Sequence, residues 1–143
     1  MKTWVLDAGI AAKWYLAGEP LAREAVRLSD QFQTGDVEFL VPDLFWPEFG
    51  NVLWKAVRQG RLTVAAAESA ISSLATDIIP TLPSKPLLSN AFALSTAHER
   101  TVYDCIYVAL AIERGCELLT ADERLVNALG SRLPVRWLGG MID

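Results

Sequence analysis

KTWVLDAG, residues 2–9, reads as a short apolar strand that ends on an acid and runs into a turn residue. Open α/β sheets bind their ligands at such strand ends, so Asp7 is placed where chemistry happens. The plainer reading is that Asp7 caps the next helix. The same arrangement returns near the other end of the chain, in ELLTADERL, where Asp122 follows a short strand. Two apolar helices between them carry acids as well: Glu48 in DLFWPEFGNVLWKAV and Asp104 in TVYDCIYVALAIERG. Four carboxylates at the ends of elements make a negative pocket, which repels itself unless a hard cation fills it. Carboxylate-held Mg²⁺ or Mn²⁺ most often serves phosphoryl chemistry.

Working outward, strands and helices alternate throughout, the pattern of an α/β fold with a mainly parallel sheet. KTWVL is the first strand. GIAAKWYLAG is a short helix, broken by Gly18, Glu19 and Pro20. PLAREAVRLSDQFQ is a second helix and EFLVP a strand. Asp43 is placed to cap the Glu48 helix, or that helix starts at Pro47. Gly60 ends it, and Thr63 caps VAAAESAISSLATD. IIPTL is a strand whose Pro80 suits a sheet edge. KPLLSNAFALSTAHER and VYDCIYVALAIERG are helices, the second closed by Gly115. ELLT, ADERLVNALG and VRWL complete the series as strand, helix and strand. There is no internal repeat and no linker able to divide the chain, so residues 1–143 read as one domain.

The composition narrows the function. About half of the 143 residues are hydrophobic, which argues against extended disorder. No apolar run reaches the roughly 18 residues of a membrane span, and MKTWVLDAG lacks the features of a signal peptide. A cytoplasmic protein is expected. The only histidine is His98, near a helix end, and Cys105 and Cys116 form no CxxC pair. A Cys/His zinc site and a histidine-based triad are both disfavoured, and the thiols read as buried and reduced. A net charge of −4 argues against broad adhesion to nucleic acid, but a metal can meet a phosphate where the protein itself is acidic.

Each acid also has a purely structural reading. Glu48 shares a column with Leu44, Asn51 and Lys55, beside a core stripe of Phe45, Phe49, Val52, Leu53 and Ala56. That column is either a solvated ladder or an acid and an amide facing a metal. Asp104 lies in the first turn of a helix apolar on nearly every side, so burial is expected, with charge compensation of the helix end as the alternative. Asp122 with Thr120 could simply cap the helix after it. All four together favour a shared site.

These pieces, VLDAGI, VPDLFWPEFGNVLWKAV, TVYDCIYVALA and LLTADERL, in this order, resemble the PIN-domain ribonucleases, and among them the toxins of VapBC toxin–antitoxin pairs. The resemblance runs from Met1 to about Trp137. It implies a three-layer α/β fold, a mainly parallel sheet of about five strands in the order 3-2-1-4-5, flanked by helices. It implies that Asp7, Asp104 and Asp122 hold Mg²⁺ or Mn²⁺, with Glu48 completing the shell or orienting the attacking water. Asn51 and Thr120 match supporting positions. It further implies RNA cleavage leaving a 3′-hydroxyl and a 5′-phosphate, a homodimer, and an antitoxin lying in a groove near the acids. Lys13, Lys55, Arg58 and Arg61 are candidate RNA contacts, with ordinary surface charge as the alternative. Trp14, Trp46 and Trp54 are read as an exposed aromatic surface for a partner, with packing under neighbouring helices as the alternative and the expectation for at least one of them.

One position departs from the family pattern. Such domains often carry Ser or Thr two residues after the first Asp, and here Gly9 stands there. That departure motivates a rival reading, a binding module with a weakened site. It also weighs against a phosphohydrolase of the haloacid dehalogenase kind, which wants a second Asp at that position.

Overall fold

The computed structural model describes residues 1–141. Strand β1 (Lys2–Leu6) carries Trp4, Val5 and Leu6, all buried, as a strand covered on both faces requires. It runs parallel to β2 (Val37–Pro42) on one side and to β4 (Glu117–Thr120) on the other. β3 (Thr81–Leu82) and β5 (Val135–Trp137) form the edges, giving five parallel strands in the order β3-β2-β1-β4-β5. β3 keeps only two residues of the expected IIPTL strand, and Pro80 lies just before it at the edge.

Among the described residues, seven α-helices flank the sheet: α1 (Ala8–Lys13), α2 (Ala22–Gln33), α3 (Phe45–Arg58), α4 (Val64–Ala75), α5 (Leu88–His98), α6 (Val102–Arg114) and α7 (Glu123–Leu129). Helix α6 is the central one. It packs on β1, β2 and β4, and every residue from Cys105 to Ala111 is buried. Helix α1 lies against α3, and α5 runs along α6. Among the described residues, no helix is long and apolar enough to cross a membrane.

Several local expectations change. Asp43 does not cap α3, and the helix does not wait for Pro47. It begins at Phe45 after Leu44, which makes no side-chain cap bond. Burying the Phe45 ring in the core decides that start. Pro47 is then the third helical residue, where its missing N–H falls among the donors that no helix turn uses. KPL is a separate 3-10 turn (Lys85–Leu87) ahead of α5, and a second one (Leu138–Gly140) follows β5. Thr63 and Gly115 do the capping expected of them. The Thr63 hydroxyl accepts from the Ala66 N–H at 3.1 Å, and Gly115 closes α6 with φ +64.

Candidate active site

Strand order reverses between β1 and β4, the point at which open α/β sheets leave a crevice. Leu6 pairs with Leu119, so the chain leaving β1 and the chain leaving β4 emerge side by side, and the Asp7 N–H bonds the Leu119 carbonyl at 3.2 Å. Asp7 divides its carboxylate. Oδ1 accepts from the Gly9 N–H at 3.3 Å and so caps α1, while Oδ2 accepts from the Thr120 hydroxyl at 2.7 Å. Thr120 is fully buried, and its Oγ1 also accepts the Asp122 N–H at 3.1 Å. One hydroxyl therefore ties the first acid to the last.

Asp122 is exposed and caps α7, with Oδ1 accepting from Arg124 N–H at 3.0 Å and Leu125 N–H at 3.4 Å. For both Asp7 and Asp122, then, the capping reading is correct, and it does not exclude the other. Each carboxylate keeps capacity beyond its cap bonds.

Glu48 lies in the first turn of α3, half-buried, and accepts from the Tyr107 hydroxyl of α6 at 2.6 Å. The Glu48–Asn51–Lys55 ladder is not made: Asn51 and Lys55 are exposed, and Glu48 turns inward. Asp104, expected to be buried, is half-buried at the start of α6, where its N–H bonds the capping Thr101 hydroxyl at 3.1 Å.

The electrostatics join these groups. Burial pushes Asp7 above its ordinary carboxylate value; the Thr120 and Gly9 hydrogen bonds oppose this, and the charges of Asp104 and Asp122 add to it. Burial also raises Glu48, against the Tyr107 hydrogen bond, with Asp7 and Asp104 adding to the rise. Asp104 is raised by burial and by Asp122, and is eased by its bond with Thr101 and by the Arg100 charge. Burial and the neighbouring Glu48 keep the Tyr107 phenol protonated at any physiological pH, so it stays a donor. Acids that lift one another in this way suit a hard, oxygen-seeking cation. Among the described residues, no three Asp, Glu, His or Cys side chains come close enough to hold one ion directly.

Gly9 leaves no gap in this support. Its N–H and the Thr120 hydroxyl already hold Asp7, and a Cβ at position 9 would meet Asp7 Oδ2 at 3.7 Å, an ordinary contact. The candidate RNA contacts divide. Lys13 is spent on the Pro20 carbonyl at 2.8 Å and on Glu19, and Arg61 on Glu19 at 2.6 Å. Arg58 lies over the Trp54 ring at 5.0 Å, and Lys55 is exposed.

The expected aromatic surface shrinks to one ring. Trp14 donates to the Ala25 carbonyl at 2.8 Å and packs on Phe39; Trp46 donates to the Thr81 hydroxyl at 3.0 Å and packs on Phe45. Each indole has a partner for both its apolar face and its N–H within the fold, and only Trp54, at 53%, is exposed. Cys105 is buried as expected, but Cys116 is only partly so.

Two residues of the site were not foreseen. Tyr107 reads in sequence as one more apolar residue of α6, and its hydroxyl partner lies 59 positions away. Arg100 precedes the cap of α6, and its proximity to Asp104 on that first turn was the available signal.

The PIN domain family model matches residues 4–129. Ribonuclease VapC3 of Pyrobaculum aerophilum is 36% identical over 125 residues, which are 86% of this chain and 92% of that protein. A solved structure from the same organism, PAE2754, superposes with a TM-score of 0.72 at 20% identity, over 96% of this chain and 90% of its own. VapBC2 from Rickettsia felis, solved bound to a DNA fragment from its promoter, has a TM-score of 0.68 at 10% identity, over 94% and 98%. The two structures speak for the fold.

Proposed function

The chain belongs to the PIN-domain family, and from that premise we propose that it is a divalent-metal-dependent endoribonuclease, the toxin of a toxin–antitoxin pair. The observation that carries this reading is the convergence of acids at the crevice between β1 and β4, where the Thr120 hydroxyl joins Asp7 to the Asp122 N–H and Tyr107 holds Glu48. The curated ribonuclease similar over most of the chain points the same way.

Asp7, Asp104 and Asp122 would hold the cation, Mg²⁺ or Mn²⁺, directly or through water, with Glu48 completing the set. When bound, such an ion lowers the pKa of water and offsets charge building up at phosphorus. The protein's own part is orientation. Thr120 and the Gly9 N–H fix the Asp7 carboxylate, and Tyr107 fixes Glu48. Glu48, pushed up by its surroundings, is suited to accept a proton from an attacking water. Asn51 lies one turn after Glu48, exposed and open to substrate.

The partner proposed is an antitoxin that places an Arg or Lys among the carboxylates. Its docking surface includes Trp54 on α3, and a homodimer and a cytoplasmic setting accompany the reading. The rival, a weakened binding module, rests on Gly9, where the backbone N–H and the Thr120 hydroxyl still hold Asp7, and turnover by the purified protein with Mn²⁺ would eliminate it. Purified protein with Mn²⁺ should cut RNA to 5′-phosphate ends, and EDTA should stop it. Absence of cleavage with Mg²⁺ and with Mn²⁺, over a set of structured RNAs, would overturn the proposal.

A further inference from the structure

The four acids explain how a cation is held but not how an RNA phosphate approaches so negative a crevice. Lys13 and Arg61 are occupied by Glu19 and by backbone carbonyls. Arg58 is laid on Trp54. Lys55 is exposed on α3, and the Arg100 charge eases Asp104 on the first turn of α6.

Its setting is unusual. Arg100 is half-buried, its Nε is enclosed, and that N–H has no acceptor. Among the described residues, no carboxylate forms an ion pair with its guanidinium, Asp104 included. The enclosed N–H is out of reach of RNA, so the terminal guanidinium nitrogens are the ones that could meet a phosphate. The backbone holds the residue in place. Glu99 adopts the left-handed conformation (φ 55, ψ 45), and the Ser95 hydroxyl donates to the Arg100 carbonyl at 2.5 Å. Thr101 then caps the helix whose first turn carries Asp104. The guanidinium is thus rooted at the turn beside the acids without being neutralised by them.

We propose that Arg100 is the phosphate contact of this site, its guanidinium taking a non-bridging oxygen of an RNA phosphodiester at the mouth of the acidic crevice. Arginine suits the task, because its planar fork matches phosphate oxygens and its charge cannot be titrated away. The assignment rests on the nuclease reading above.

The test is equilibrium binding of a fluorescein-labelled RNA hairpin in Mg²⁺, followed by anisotropy across a range of KCl concentrations. An Asp7→Asn parent is used so that the RNA survives. Adding Arg100→Gln should weaken binding about five- to tenfold at roughly 0.1 M salt and flatten the log–log salt slope by about 0.7–0.9, the share of one phosphate. The loss should be similar for hairpins of different sequence. Arg100→Lys should keep the slope. Unchanged affinity and slope in Arg100→Gln would overturn the assignment. Arg100→Met, which keeps the aliphatic stem, is the second variant. Failure of both neutral variants to fold would make Arg100 a structural residue and overturn the assignment too. Failure of the parent to bind, together with failure of the wild-type chain to cleave RNA, would instead remove the nuclease reading and this assignment with it.

Discussion

The Thr120 hydroxyl donates a hydrogen bond to Asp7 Oδ2 and accepts one from the Asp122 N–H, so a single buried hydroxyl positions two of the four acids. Thr120→Val keeps the shape of the side chain and removes both bonds. It should weaken divalent-cation binding about 10–100-fold while the protein stays folded, as loss of an outer partner of a ligand usually does. Metal titration beside circular dichroism checks this, and wild-type affinity in the variant would show Thr120 to be filler. Gly9 poses the opposite question. Its φ is not in the positive range, and open contact distance surrounds the absent Cβ, so Gly9→Ser should fold and should keep or raise activity. A stable variant with sharply reduced cleavage would show that the bare backbone at position 9 is needed. At this scale the sequence was legible in part. That Asp7 and Asp122 follow strands could be read directly. That each acid both caps a helix and faces the crevice could not, because spacing along the chain does not say which way a carboxylate's two oxygens point.

Helix α6 organises the site. It carries Asp104 on its first turn and Tyr107 one turn later, and Tyr107 reaches across to Glu48 on α3. Helices with a strong local signal were read well: Thr63 and Gly115 announce their ends. The start of α3 was misread because a plausible cap at Asp43 competed with core burial of Phe45, and burial won. The tryptophans were misread for a related reason. Helical periodicity placed Trp14 and Trp46 off the main stripe, but β2 and β3 supply neighbours that a single helix cannot reveal. The turn between α5 and α6 carries the left-handed Glu99, a conformation that costs a non-glycine residue about 1 kcal/mol or more. Glu99→Gly should therefore raise stability by about 0.5–1 kcal/mol in urea unfolding, provided the turn is otherwise intact. A destabilised Glu99→Gly would mean that the Glu99 side chain contributes a contact outweighing its strain.

For the molecule as a whole, the mainly parallel sheet was readable from the alternation of strands and helices and the strand order from family resemblance, and that order brings the ends of β1 and β4 together. At that crevice burial, with the neighbouring acids adding to it, raises Asp7, Glu48 and Asp104 above their ordinary carboxylate values. The sign follows from linkage. Raised folded values mean that the native state binds more protons, so this contribution to stability is present below the ordinary carboxylate range and is lost as pH rises through the folded values. Glu19 runs the other way, since hydrogen bonding and charge from Arg61 and Lys13 outweigh its burial. The comparison with Asp7→Asn separates the two. Without divalent cations, Asp7→Asn should melt higher than wild type at neutral pH, and the difference should shrink in mild acid. A melting temperature lowered at both pH values would mean that the Asp7 cap outweighs the repulsion. The central claim, that these acids together hold a divalent cation, is tested most directly by calorimetric titration of Mn²⁺ into the wild type, Asp7→Asn and Asp104→Asn, in buffers of different ionisation enthalpy. The account predicts saturable binding by the wild type with protons released on binding, and at least about a tenfold loss of affinity in each variant, in keeping with the loss of one charged ligand. Equal binding by all three proteins, or binding with no proton release, would contradict it.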